Sequence, residues 1–180
     1  YYRDLKTIKS QTNDIKKRML FLEGKAPKTV EEINSIHSHD NSQFKSNTQT
    51  SLSKEEEIFN SALALHDSGN LIESQKSFSE FIEKFPTSSS LSNALYWRAE
   101  TKARQEDWIG AANDYLESFS ISPSGDHSPK TLFGLGVSLG AIGEKDQACL
   151  TLDEVGARFQ NIDPILLDDI SRAKNLLSCG

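Results

Sequence analysis

The chain has 180 residues, 36% of them hydrophobic, with a formal net charge of −6 and two cysteines. That length allows one core plus an appended element, and no run approaches the ~20 apolar residues that cross a bilayer. Two cysteines are too few for a disulfide framework and lack zinc-ligand spacing.

The first 25 residues carry seven Lys/Arg against three Asp/Glu, whereas residues 53–180 carry eleven against twenty. A basic head on an acidic body argues against nucleic-acid binding by the body. The chain opens on Tyr1 rather than Met, which reads as a processed or truncated product. Within residues 1–23 the apolar positions alternate at three and four. Leu5, Thr12 and Met19 fall at heptad position a, and Ile8, Ile15 and Leu22 at d. This narrow seam predicts a coiled-coil oligomerisation helix in preference to a single helix docked on the body.

Residues 24–52 read as a flexible linker. Gly24 and Pro27 stop the helix, and the remainder is mostly Ser, Thr, Asn, Gln and charge. As a random coil it would span about 30 Å. His37 and His39 have no carboxylate or thiol cluster beside them, so they are read as ordinary linker residues and no metal is expected.

Residues 53–180 repeat at a period of 37, with copies beginning at Glu55, Ser92 and Pro129. Each copy holds two helical patterns around a tight turn: Ser68-Gly69-Asn70, Gln105-Glu106-Asp107 and Ile142-Gly143-Glu144. Two helices per copy at such a period predict an all-α fold built as an α-solenoid. Small residues recur in the first helix (Ala62, Ala99, Gly136) and in the second (Ser74, Ala111, Ala148). A large residue follows four further on (Phe78, Tyr115, Leu152), and Pro86 and Pro123 close the first two copies. The last helix, about 164–178, reads as a solubilising cap. The serines at 88–90 are expected to lengthen the joint and cap the next helix.

These slots resemble the tetratricopeptide repeat, lengthened by three residues at the joint after the proline. Taken with the FSEFIEKFPTS and NALYW text, the whole chain is similar to the periplasmic TolA-binding proteins of the Tol-Pal system, the YbgF/CpoB family. Arg98-Ala99-Glu100 departs from the Leu-Gly pair that more often follows the Trp there. The resemblance implies an exported protein whose N-terminal coil trimerises and whose repeat domain binds TolA. It would coordinate outer-membrane constriction with septal peptidoglycan synthesis, with a peptidoglycan synthase as a second partner. Two alternatives remain at this stage. One is a subunit of an outer-membrane protein assembly machine, and the other is a generic interaction scaffold.

In such repeats the second, fifth, ninth and twelfth residues of each copy line the concave face. Phe59, Leu63, Tyr96, Glu100, Lys130, Phe133 and Val137 are thereby the expected partner-binding groove, suited to a helix or extended peptide. Tyr96 is expected to face the groove, while Trp97, one step round the helix, packs toward a neighbouring helix. The competing reading is that these aromatics only fill the interior of a short array. A carboxylate-clamp groove would need Asn and Lys/Arg at Phe59, Leu63, Trp97, Lys130 and Gly134, and only Lys130 matches.

GLGVSLG at 134–140 misses the dinucleotide fingerprint and falls inside a helix, so its glycines point to close packing. His66 and His127 have no matched nucleophile, and the acidic pairs Asp153-Glu154 and Asp168-Asp169 read as solvated faces. No catalysis or cofactor is expected. For Cys149 and Cys179, two free thiols with Cys179 in a frayed tail are favoured over a disulfide.

Overall fold

A computed structural model describes residues 45–180, with side chains from residue 54 onward. The heptad segment 1–23 and linker residues 24–44 lie outside the described residues. The described chain forms seven α-helices: α1 Lys45–Asp67, α2 Leu71–Lys84, α3 Leu91–Arg104, α4 Trp108–Ile121, α5 Ser128–Ala141, α6 Lys145–Arg158 and α7 Pro164–Leu177. There is no strand among the described residues. None of these helices is long and apolar enough to cross a membrane.

The helices keep the period of the sequence. Leu71, Trp108 and Lys145 open the second helix of each pair and lie 37 residues apart, as do Leu91 and Ser128 at the starts of α3 and α5. The turn residues Gly69 (φ 82°) and Gly143 (φ 86°) supply the left-handed conformation that reverses the chain. Glu106 takes the same conformation (φ 61°) without the freedom of a glycine. Asp107, next in line, caps α4 by accepting the amide of Gly110 at 3.0 Å.

Each helix packs on its chain neighbours, and the first helix of every pair also touches the first helix of the next. The small-residue slots make the pairs close. Ala62, Ala99, Ser74, Ala111 and Ala148 are fully buried, and the Ser74 hydroxyl donates to the Ala62 carbonyl across the first pair at 2.9 Å. Phe78, Tyr115 and Leu152 fill the space between, at most 2% exposed. Two apolar clusters result, one joining the first pair to α3 and one spanning α3 to α7, and Trp97 packs against both. It therefore packs against neighbouring helices, as its place on α3 predicts.

The glycines of 134–140 lie in α5, and each admits a different neighbour. A Cβ on Gly134 would stand 2.5 Å from the Tyr115 ring of α4. On Gly136 it would meet Leu152 of α6 at 2.9 Å, and on Gly140 it would meet Leu177 of α7 at 2.8 Å.

Four expectations need correction. First, α1 begins at Lys45, so residues 45–52 continue a helix where a linker was expected. That stretch is polar but contains neither Gly nor Pro, and polarity alone does not stop a helix. Second, Cys149 and Cys179 form a disulfide, with Cα atoms 5.6 Å apart. The tail is not frayed, because Ser178 adopts the left-handed conformation (φ 51°) and the Cys179 amide donates back to the Lys174 carbonyl. This C-cap turns Cys179 toward α6. Third, α7 is only partly polar on its outside: Leu166 and Ile170 are buried, yet Ile165, Leu167 and Leu176 are exposed. Fourth, Ser90 makes no side-chain cap at α3. Instead, Ser88 Oγ accepts the Ser90 amide at 2.9 Å.

Candidate protein-binding face

The first helices α1, α3 and α5 carry all the residues expected to line a groove. The first pair absorbs part of that stripe. Phe59 stands edge-on to Phe78 and Phe81, with ring centroids 5.7 and 5.5 Å apart, and Leu63 packs on the same cluster. Both remain half-buried.

Tyr96 is more deeply enclosed, with 5% of its surface exposed. Its ring stacks on His127 (4.7 Å, 13°), meets Trp97 edge-on at 5.2 Å and leans on Tyr115 at 6.2 Å. The expectation that Tyr96 faces an open groove is thus corrected. Helical spacing places it on the inner face of α3, but the joint before α5 brings His127 over it. Glu100 is half-buried and accepts the Tyr115 hydroxyl at 2.5 Å. Lys130 is exposed, and Phe133 and Val137 are half-buried, Phe133 against the larger core.

Burial, reinforced by the Glu100 charge, raises the hydroxyl pKa values of both Tyr96 and Tyr115 well above the ordinary tyrosine range. Both therefore remain neutral donors.

Two histidines omitted from the expected groove bracket it. His66 is 7% exposed, lies edge-on to Trp97 at 5.4 Å and bonds through Nδ1 to Thr101 Oγ1 at 2.8 Å. The Thr101 hydroxyl proton already goes to the Trp97 carbonyl at 2.8 Å, so Nδ1–H is the donor to Thr101. Arg104 reaches back from α3 to the His66 carbonyl at 2.8 Å. Burial and then the Arg104 charge lower the His66 pKa, while burial and then Lys130 lower that of His127. His66 occupies the twelfth position of its copy, which was signal enough to place it on this face. One period after Thr101, Ser138 is buried with no hydrogen-bond partner among the described residues. The position one period after His66 is Ala103, which has no donor to offer.

Arg98, where the family resemblance fails, has a structural task. With Lys102 of the same helix it grips Asp114 of α4: Nε–Oδ2 2.7 Å, Nη2–Oδ1 2.8 Å and Lys102 Nζ–Oδ2 2.8 Å. Arg98 Nη1 continues to Ser79 Oγ of α2 at 3.2 Å. The other acidic pairs are surface ion pairs, Asp153 with Lys174, Glu154 with Arg158, and Asp168 and Asp169 with Arg172. Such exposed pairs contribute about 0–1 kcal/mol each.

At the start of the stack, a cleft of about 440 Å³ opens between α1, α2 and the joint before α3. Phe59 and Phe81 line it together with Glu55, Glu56, Ser89 and Ser90. Among the described residues, no group of three His, Cys, Asp or Glu side chains is arranged to hold a metal. No family model matches the chain, and no curated protein matches it.

Proposed function

We propose that this protein is a periplasmic adaptor that binds TolA and couples outer-membrane constriction to septal peptidoglycan synthesis during division. The observation that carries the reading is the filled 37-residue register. Three helix pairs bury a small residue, a second small residue and a large residue at the same slots, which favours tetratricopeptide repeats. Linear arrays of that kind act as interaction surfaces rather than as reaction sites.

Two further features support it. The Cys149–Cys179 disulfide fits an oxidising compartment such as the periplasm. The heptad text of residues 1–23, with Leu5, Ile8, Thr12, Ile15, Met19 and Leu22 in the seam, fits a trimer presenting three tethered domains. Multivalency would then raise avidity without strengthening any single contact. A peptidoglycan synthase is the second partner in this reading.

Titration of the full chain with the periplasmic part of TolA by calorimetry tests it, beside a Leu63→Ala/Lys130→Ala/Val137→Ala variant. These three side chains are exposed or half-buried, so the variant should keep its helical circular dichroism. Binding lost in the folded variant supports both partner and face. Equal binding keeps TolA and moves the site. No binding by either chain removes TolA and turns attention to an outer-membrane assembly role.

A further inference from the structure

We infer that the cleft at the start of the stack receives an arginine or lysine side chain from a partner's polypeptide segment. The inference rests on the binding-module reading above but not on TolA as the partner. At about 440 Å³ the cleft falls within the ~300–1,000 Å³ usual for ligand pockets.

Its lining has two unlike parts. Phe81 is fully buried and Phe59 half-buried, and their rings meet edge-to-face at 5.5 Å. The half-buried Phe59 ring, backed by Phe81, is the apolar base on which a long aliphatic stem can lie and over which a cation is attracted. Glu55 and Glu56 bring two carboxylates from the same turn of α1, and neither makes an ion pair among the described residues. The hydroxyls of Ser89 and Ser90, from the joint, also make no hydrogen bond among the described residues, so they remain available to the incoming backbone.

An apolar base beside two carboxylates that have no ion partner among the described residues suits a side chain with an aliphatic body and a cationic head. A plain aliphatic residue would leave the carboxylates unused, and an acidic one would be repelled by them. The body as a whole has the same sign, since residues 53–180 hold twenty Asp/Glu against eleven Lys/Arg, and it would attract a basic segment.

The test is fluorescence anisotropy on the full chain with a labelled synthetic amphipathic Leu/Arg peptide and its Leu/citrulline counterpart, which keeps the shape and removes the charge. Two variants are compared with the parent chain. Glu55→Gln/Glu56→Gln removes the cleft carboxylates, whereas Glu73→Gln/Glu117→Gln removes the same charge from exposed positions on α2 and α4. The expected result is that parent and control bind the Arg peptide alike, while the cleft variant loses about tenfold. The citrulline peptide should bind all three equally weakly. An equal loss in the control would assign the binding to the general field and overturn the proposal, as would an unchanged cleft variant. If the parent binds the probe only after Arg3, Lys6, Lys9, Lys16, Lys17, Arg18 and Lys25 are changed to Gln, the occupant is the chain's own basic segment, and the partner assignment falls. Because the probes contain no TolA sequence, their outcome is separable from the TolA titration.

Discussion

The second and third helix pairs have the same backbone plan and fill it in opposite ways. Arg98, Lys102 and Asp114 hold the second pair together as an ion triad. One period later the same three slots are Leu135, Leu139 and Thr151, all buried. The contrast continues on the inner face of the first helix. Trp97, Ala99 and Ala103 become Gly134, Gly136 and Gly140, which draw in Tyr115, Leu152 and Leu177. The third pair is then tied to α7 by the disulfide. The register thus fixes where a side chain goes but not which force it supplies there. An ion triad around the buried Asp114 fits only its own partners, whereas glycines and leucines rely on close packing.

The largest effect should come from breaking the triad on one side. Asp114→Ala leaves two part-buried cations, Arg98 and Lys102, without their buried counter-charge and should cost about 3–5 kcal/mol, measured by urea unfolding. The disulfide comes next. Closing a loop of 30 residues is worth about 3–4 kcal/mol, so reduction should lower the melting temperature. A Cys149→Ser/Cys179→Ser variant should melt at the reduced value with or without reductant.

Acid should act on the inner face. His66 and His127 have folded-state pKa values below the ordinary 6.5. The unfolded chain therefore binds more protons as pH falls below about 6.5, and stability is lost in that direction. Urea midpoints at pH 7.5 and 5.0 should show this fall, and it should be shallower in a His66→Gln/His127→Gln variant. An equal fall in both would assign the acid sensitivity to other groups.

The glycines should give the smallest effects, with opposite signs. Gly134→Ala gains about 1 kcal/mol of helix propensity but forces its methyl into the Tyr115 ring, a net loss of about 1–2 kcal/mol. Gly156, also helical, has nothing within 4 Å of an added Cβ. Gly156→Ala should therefore stabilise by about 0.5–1 kcal/mol.

Much of the fold was legible before any coordinates. Repetition at 37 residues placed the three tight turns, the small slots and the large slots, because close helix contact admits few residue types. What escaped depended on contacts distant in sequence. The Arg98–Asp114 pair was not anticipated, since nothing in its spacing says that the acid is buried. Tyr96 was read from helix geometry alone, but its cover comes from His127, 31 residues on in the chain. The disulfide hung on one left-handed residue, Ser178, that composition does not announce. The start of α1 was missed for a different reason: polar residues were taken as linker where nothing broke the helix.

The central claim is that the pairs share one packing frame with interchangeable fillings. Transplanting the third pair's slots into the second, as Arg98→Leu/Lys102→Leu/Asp114→Thr, tests it most directly. Urea unfolding of this triple variant should give one cooperative transition, at a stability within about 1 kcal/mol of the parent or above it, because apolar replacement of a buried ion triad is commonly neutral or stabilising. A loss as large as that of Asp114→Ala alone would mean that the slots are not equivalent, and that the common register does not describe how this chain packs.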